Sequence, residues 1–186
     1  MAFYRSYHKL GQLCAYTATV NGTPVPTIVK FQEDINKITF NLPVVIGNNV
    51  SYCTNFFLGF TNFNQPITIP DSVISTLRMF YGCTNYGQNT IVPNNVIYGN
   101  EMFAGCNASL NIVIYSPHVR NWINVVSAYN NQNRKNVYAP SANPQNIATH
   151  VDLKNASNWR NNGVCWYNTL HNIYVYKDLN LIPDDF

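Results

Sequence analysis

The feature that most constrains this chain is a 23-residue internal repeat in its central part. Three segments that begin with phenylalanine align at this spacing, at Phe57, Phe80 and Phe103. A glycine follows each of them in the same frame, at Gly59, Gly82 and Gly105. A unit this short cannot bury its apolar face alone, so the repeat predicts units that stack on one another around a shared core.

Each unit also contains a short run of β-branched residues, which is a strand signal. These runs occupy residues 44–46, 67–69, 90–92, 113–115 and 136–138, and a later run, Ile173–Tyr176, resembles a sixth. Stacking the units sideways would pair these strands in parallel. We therefore expect a mainly β repeat solenoid with a parallel sheet of five to six short strands, and with short helical or irregular segments on its other side.

The repeated residues resemble a known family, the BspA-like leucine-rich repeats. The Phe-x-Gly-Cys part of that pattern stands at Met79-Phe-Tyr-Gly-Cys83 and Met102-Phe-Ala-Gly-Cys106, and its strand and proline stand at Ile67-Thr-Ile-Pro70 and Ile91-Val-Pro93. The resemblance covers residues 36 to 119 clearly and extends weakly to 140. It implies a leucine-rich-repeat-like solenoid and a role in adhesion, surface display or the structure of a phage particle.

The repeat divides the chain into three parts. We expect an N-terminal hairpin or cap over residues 1–41, with strands around the turn dipeptide Asn21-Gly22, a solenoid over 42–140, and a loop-rich insertion with a terminal strand or cap over 141–186. Apolar residues at helical spacing after Pro117 predict a helix over 117–130. A capped end would hide the sheet edge, whereas an open edge would serve assembly.

Composition excludes several classes of function. Charged residues make up 10% of the chain and form no basic stripe, which disfavours nucleic acid as a partner. Neither a signal peptide nor an apolar run long enough to span a membrane is present in the sequence, so we expect no membrane insertion. Asparagine occurs 30 times, and stacked asparagines such as Asn62 over Asn85 are expected to form side-chain ladders.

We find no motif that carries catalysis, and we expect a protein that is not an enzyme and uses no metal or cofactor. Cys165 and His171 are the one pair that could act as nucleophile and base, on sequence proximity alone. Cys83 and Cys106 share a column of the repeat, where they could form a disulfide or serve as small buried apolar residues.

Two groups of residues are candidates for contacts with a partner. The first is the middle position of each predicted strand, which points away from the core if its neighbours point inward: Val45, Thr68, Ile91, Ile114 and Val137. This apolar column predicts a docking stripe, unless the register differs by one residue or a terminal segment covers the face. The second group comprises Trp159, Trp166 and Tyr167 in the C-terminal loops.

These features favour a non-enzymatic structural protein that acts through protein–protein contacts or self-assembly. A chain that starts at its own Met without an export signal suits a virion component assembled in the host cytoplasm, such as a part of the capsid surface, tail or baseplate. The alternative is an adhesin on a cell or virion surface that binds a host receptor or a glycan, with exposed Trp and Tyr stacking on sugar rings.

Overall fold

The chain forms a mainly β structure in a computed structural model that describes residues 18–20, 23–25, 36–126, 133–147, 159–168 and 171–186. Near the N-terminus, β1 (Ala18–Val20) and β2 (Thr23–Val25) pair antiparallel. The strand expected before Asn21-Gly22 is therefore present at Ala18–Val20, but its partner is Thr23–Val25. The other strand expected for this hairpin, at 27–31, lies outside the described residues.

The second sheet has six strands and mixed directions. They are β3 (Thr90–Val92), β4 (Leu110–Ile114), β5 (Lys135–Tyr138), β6 (Trp159–Asn161), β7 (Cys165–Asn168) and β8 (Ile173–Tyr176). Their spatial order is β3-β4-β5-β8-β7-β6. Strands β3, β4, β5 and β8 run parallel, whereas β7 and β6 are antiparallel additions.

The expectation of a purely parallel sheet is therefore wrong at its C-terminal edge. The strand predicted at Ile173–Tyr176 is confirmed beside β5, but the hairpin of β6 and β7 was not predicted. The runs at 44–46 and 67–69 form no β-strand. Their units meet through isolated parallel bridges instead, in which Tyr52 pairs with Ser75 and Ser75 with Tyr98.

Outside the sheet, backbone hydrogen bonds connect each repeated unit to the next. The amide of Phe57 donates to the carbonyl of Met79 at 2.8 Å, and one repeat later the amide of Phe80 donates to Met102 at 2.8 Å. Gly59 and Gly82 make equivalent bonds to Tyr81 and Ala104. Successive units are thus joined main chain to main chain along the repeated segment, and this satisfies backbone groups that would otherwise lie unpaired.

The core between the units is a stack of aromatic rings. Phe57, Phe80 and Phe103 lie 5.3 Å apart from ring to ring, with their ring planes nearly parallel. Phe63 and Tyr86 form a second stack beside them, and all five rings are fully buried. The Tyr86 hydroxyl bonds to the Thr90 hydroxyl at 2.9 Å, so the polar residue in an inward strand position is satisfied.

One hydrophobic cluster runs from Phe40 to Val175 and includes residues of the C-terminal segment such as Trp159 and Ile173. The predicted solenoid and the predicted C-terminal insertion therefore share a core. Over the described residues, no helix is both long enough and apolar enough to cross a lipid bilayer.

The predicted helix over 117–130 is much shorter in the structure. A 3-10 helix spans Pro117–Asn121, and its N-cap Ser116 accepts a hydrogen bond from the amide of His118. Residues 122–126 are not helical, and 127–132 lie outside the described residues. The helix ends because Trp122 adopts an extended backbone and its indole is drawn into the core, where Nε1 donates to the Ile97 carbonyl at 2.8 Å. A short helix, α1 (Pro144–Ile147), was not predicted.

Candidate functional site on the outer face of the sheet

The six-stranded sheet has one face on the core and a second face, here called the outer face, that points away from it. Side chains alternate between the two faces along each strand. The register aligns Thr90, Ile112, Val137 and Val175, and all four are buried on the core side. The row on the outer face is Ile91, Val113, Tyr138 and Tyr176, of which Ile91 is exposed, Tyr176 is half-buried, and Val113 and Tyr138 are buried.

This register changes the membership of the predicted docking stripe. Val45, Thr68 and Ile91 are exposed, as expected. Ile114 and Val137 are fully buried in the core instead. The reason is that β3 pairs with β4 in a register that departs from the repeat period, with Ile91 opposite Val113 and not opposite Ile114. A one-residue slip of this kind moves a side chain to the other face.

A groove opens on the outer face where the repeated units meet β3. It encloses about 750 Å³, and Thr68 and Ile91, two members of the predicted stripe, line it. Tyr115 and the C-terminal Phe186 form further apolar walls, and Asp71 and Asn89 supply polar groups. Phe186 also meets Tyr138 edge to face at 6.4 Å, so the C-terminal end covers part of the row and leaves the groove beside it open.

A chain of side-chain hydrogen bonds crosses the outer face from β5 to the groove. Arg134 Nε donates to Asn136 Oδ1 at 2.9 Å, Asn136 Nδ2 donates to Asn111 Oδ1 at 2.8 Å, and Asn111 Nδ2 donates to Asn89 Oδ1 at 3.1 Å. Every bond has the same direction, so the amide dipoles reinforce one another. The predicted pair of Asn62 and Asn85 forms a separate ladder at 2.9 Å.

Arg134 is the first donor in this series of hydrogen bonds, and it lies at the centre of an aromatic cluster. Its guanidinium carbon is 4.1 Å from the Tyr174 ring centroid, and Nη2 donates to the Tyr176 hydroxyl at 2.9 Å. Tyr176 stacks on Tyr138 at 4.8 Å, and Tyr174 stacks on Tyr167 at 6.2 Å. Stacking and two hydrogen bonds hold the cation in one orientation, with its charge close to solvent.

The second predicted group is divided between the two faces. Tyr167 lies on the outer face, where it pairs with Tyr174. Trp159 is buried in the core, and Trp166, opposite Val175, packs against it. Trp159 therefore presents no free ring to a ligand, and Trp166 is partly covered by its contact with the core.

The cysteines within the described residues are buried. Cys83 and Cys106 are both free thiols, and their Sγ–H groups donate to the carbonyls of Phe57 and Phe80. Burial raises the pKa of Cys83 to about 12 and that of Cys106 well above its usual range. Neither thiol forms a reactive thiolate near neutral pH.

Cys165 and His171 are not brought together as a dyad. Cys165 pairs with Tyr176 at one end of the β7–β8 hairpin, and His171 lies in the connection at the other end. About 10 Å of strand separates the two ends, at roughly 3.4 Å per residue. Across the described ranges, no group of three or more His, Cys, Asp or Glu side chains is arranged to hold a metal ion.

Lys135 is the least expected residue of the site region, because it points into the core beneath Arg134. It is 1% exposed, and Nζ donates to the carbonyl of Asn133 at 3.0 Å. Burial lowers its pKa to about 8. Among the described residues, the one ion pair joins Arg78 and Glu101, so no described carboxylate neutralises the Lys135 ammonium group.

Sequence reasoning missed the residues that dominate the outer face, namely Asn111, Tyr115, Arg134, Asn136, Tyr174, Tyr176 and Phe186. One signal was available, since the alternation in Ile173-Tyr-Val-Tyr176 places both tyrosines on the face opposite the buried Ile173 and Val175. The contribution of Phe186 depends on a tertiary contact that has no local signal.

No protein-family model, curated protein or solved structure gives a significant match to this chain.

Proposed function

We propose that the 23-residue units form a solenoid similar to the leucine-rich repeats of the BspA-like family. Three regularities support this assignment: the main-chain bonds from unit to unit, the aromatic stacks, and left-handed backbone at corresponding glycines. In such an arrangement the parallel strands form one side of each coil, and the glycine turns form its corners.

We propose further that the protein is a non-enzymatic binding component that acts through the outer face of its sheet. The observation that carries this proposal is that an apolar groove and an Arg–Tyr cluster lie on one face and are joined by the asparagine ladder, while Val113 and Tyr138 between them are buried. Aromatic residues and arginine are the types enriched where proteins bind one another, and lysine and glutamate are depleted there.

The setting that we propose is a virion, with the protein on the capsid surface, in the tail or in the baseplate. The family resemblance and the low charge of the chain support this setting. The contacts would then be made with other virion proteins or with further copies of the same chain.

Site-specific photocrosslinking tests this function. A benzoylphenylalanine at Ile91, on the groove, is expected to form a discrete crosslink to one virion protein in purified particles. The same probe at Tyr98, which is 56% exposed and belongs to no strand of the six-stranded sheet, is the control. Crosslinks of equal yield and pattern from both positions, or none from Ile91, would contradict a contact at the outer face.

A glycan-binding adhesin is the second candidate function, and the stacked pair of Tyr167 and Tyr174, both half-buried, favours it. Tyrosine faces stack on the C–H surfaces of sugar rings while the hydroxyl stays solvated. A glycan array probed with the wild type and with Tyr167→Ala separates the two functions: specific glycan binding that the substitution abolishes supports the adhesin. Trp159→Ala is not informative here, because that indole is buried.

A further inference from the structure

The Arg134 cluster has the composition of a binding site for a charged ligand. On its side-on edge, the guanidinium donates from Nε to Asn136 and from Nη2 to Tyr176. The end-on edge, formed by Nη1 and the second hydrogen of Nη2, meets no acceptor among the described residues. Two parallel N–H groups on that edge match the two oxygens of a carboxylate.

The Arg134 guanidinium is also held in one orientation in the absence of a ligand. Two hydrogen bonds and the Tyr174 ring, 4.1 Å from the guanidinium carbon, restrict an arginine that is otherwise exposed. Within the described part of the chain, no carboxylate forms an ion pair with it. Less side-chain entropy is therefore lost when an anion binds than at a free surface arginine.

Aromatic rings and amide groups surround the end-on edge of the Arg134 guanidinium, whose two N–H groups form a fork. The Tyr167 ring stacks on Tyr174 at 6.2 Å, so this ring and the guanidinium carbon are at most about 10 Å apart. On the other side, the amides of Asn136 and Asn111 continue across the sheet. A sugar ring presents C–H groups to tyrosine and hydroxyls to amides, and a uronic or sialic acid adds a carboxylate for the fork.

The same geometry disfavours an extended peptide as the ligand. Strand β5 is paired on both edges, with β4 and with β8, and β8 is paired with β5 and β7. Their main-chain groups are committed to the sheet and cannot add a peptide strand. Recognition at this place must use side chains alone.

From these observations we propose that Arg134, Tyr174, Tyr176 and Tyr167 form a binding site for a carboxylate-bearing saccharide. Arg134 clamps the carboxylate, Tyr167 packs on a sugar ring, and the asparagine ladder binds hydroxyls. This proposal deepens the glycan-binding candidate function and does not depend on a protein contact at the groove.

The test measures binding of 3′-sialyllactose and methyl glucuronide by titration calorimetry, beside lactose and the methyl ester of the glucuronide. The acids are expected to bind saturably, and loss of the charge or the fork should weaken binding by about tenfold or more. The ester comparison leaves the protein unchanged, so it does not depend on how any variant folds.

Three variants locate the site. Arg134→Lys keeps the charge but loses the fork, and it should bind the acids as weakly as Arg134→Gln. Arg120→Gln removes a charge from an exposed arginine in the 3-10 helix and should bind like the wild type. Ile91→Glu disrupts the groove and should leave saccharide binding intact, which keeps failure of the protein-contact function distinguishable from failure of this site.

Several results would overturn the proposal. They are equal binding of acid and ester, equal losses in Arg120→Gln and Arg134→Gln, or no saturable binding of either acid. Equal or tighter binding of a polyglutamate peptide would assign the cluster to an acidic protein partner instead.

Discussion

Gly105 shows at the scale of one residue how the repeat is held together. Its φ is +79°, in the left-handed region, and the corresponding Gly59 and Gly82 have φ of +76° and +73°. A Cβ added at Gly105 would lie 3.2 Å from the Cα of Gly82, in the unit before it. Glycine is therefore required at this position for two reasons: the backbone adopts a conformation that glycine adopts freely, and the main chains of two units approach closely.

We predict that Gly105→Ala destabilises the protein by about 3 kcal/mol, because left-handed strain of about 1–2 kcal/mol adds to a backbone contact that must give way. Gly163→Ala is the matched control: its φ is +89°, but an added Cβ meets nothing within 4 Å. Urea unfolding of both variants checks this prediction. Equal losses of stability would show that the close approach between units contributes nothing.

Lys135 predicts an unusual dependence of stability on pH. Its pKa is about 8 in the folded protein, below the ordinary value of 10.5, so between these values the unfolded chain binds more protons and the free energy of unfolding rises with pH. The buried thiol of Cys83 has the opposite effect above pH 9, since its folded pKa is about 12. The Cys53 and Cys106 thiols, whose pKa values burial also raises, add to this effect. We therefore expect total stability to fall above pH 9, while the contribution of Lys135 itself rises from pH 8 to pH 9.

The variant Lys135→Met isolates the contribution of the lysine. It removes an uncompensated buried cation, so it should raise stability at pH 7 and abolish the contribution that rises between pH 8 and pH 9. Chemical denaturation at pH 7, 8 and 9 measures both effects. A variant that is less stable than the wild type at pH 7 would mean that the ammonium group has a neutralising partner.

At the scale of structural elements, the stacked phenylalanines make each unit depend on its neighbours. We predict that Phe80→Ala costs about 3–5 kcal/mol as a large-to-small change in a packed core, since Phe80 contacts the rings of Phe57 and Phe103 on either side. Tyr98→Ala, at a ring that is 56% exposed, should cost far less. Thermal or urea unfolding measures the loss of stability in both variants. A loss under about 1 kcal/mol for Phe80→Ala would contradict the burial of the phenylalanine column.

The structural elements also show which parts of the fold the repeat pattern predicts and which it does not. The repeat period located the phenylalanine and glycine columns correctly, because those positions recur without insertions. The repeat period does not predict the strand pairing in the sheet. Val113 of β4 lies opposite Ile91 on one side and opposite Tyr138 on the other, and neither pair is separated by the repeat period. A loop that changes by one residue reverses the side to which a strand residue points, and no local propensity records that change.

The candidate site could be predicted only where it lies inside the regular units. Thr68 and Ile91 were found because the period still holds at those positions. Arg134, Tyr174 and Tyr176 come together because β8 pairs with β5 although the long segment 139–172 separates the two strands in the chain. The pattern predicted a strand at β8, but not the register that places Tyr176 beside Arg134.

At the scale of the whole molecule, the C-terminal segment supplies a strand that pairs with the repeat region and residues that share its core. Strand β8 pairs with β5 along its whole length, and the same hydrophobic cluster contains Ile147, Trp159, Ile173 and Val175. A chain ending at residue 140 would leave the β5 edge and the buried Val137 uncovered. Open edges of this kind recruit other chains.

We therefore predict that a chain truncated after Pro140 aggregates or loses cooperative unfolding. A chain that lacks only residues 182–186 should stay folded and keep the oligomeric state of the full chain, because that deletion removes the Phe186 contact on Tyr138 but no strand. Sedimentation velocity and thermal unfolding of both truncations test this. If the 1–140 chain is monomeric and unfolds in one sharp transition, the repeat folds by itself, and residues 141–186 are an appendage to a complete domain. If it aggregates while the shorter deletion does not, the strands after residue 158 are the cap that the repeat requires.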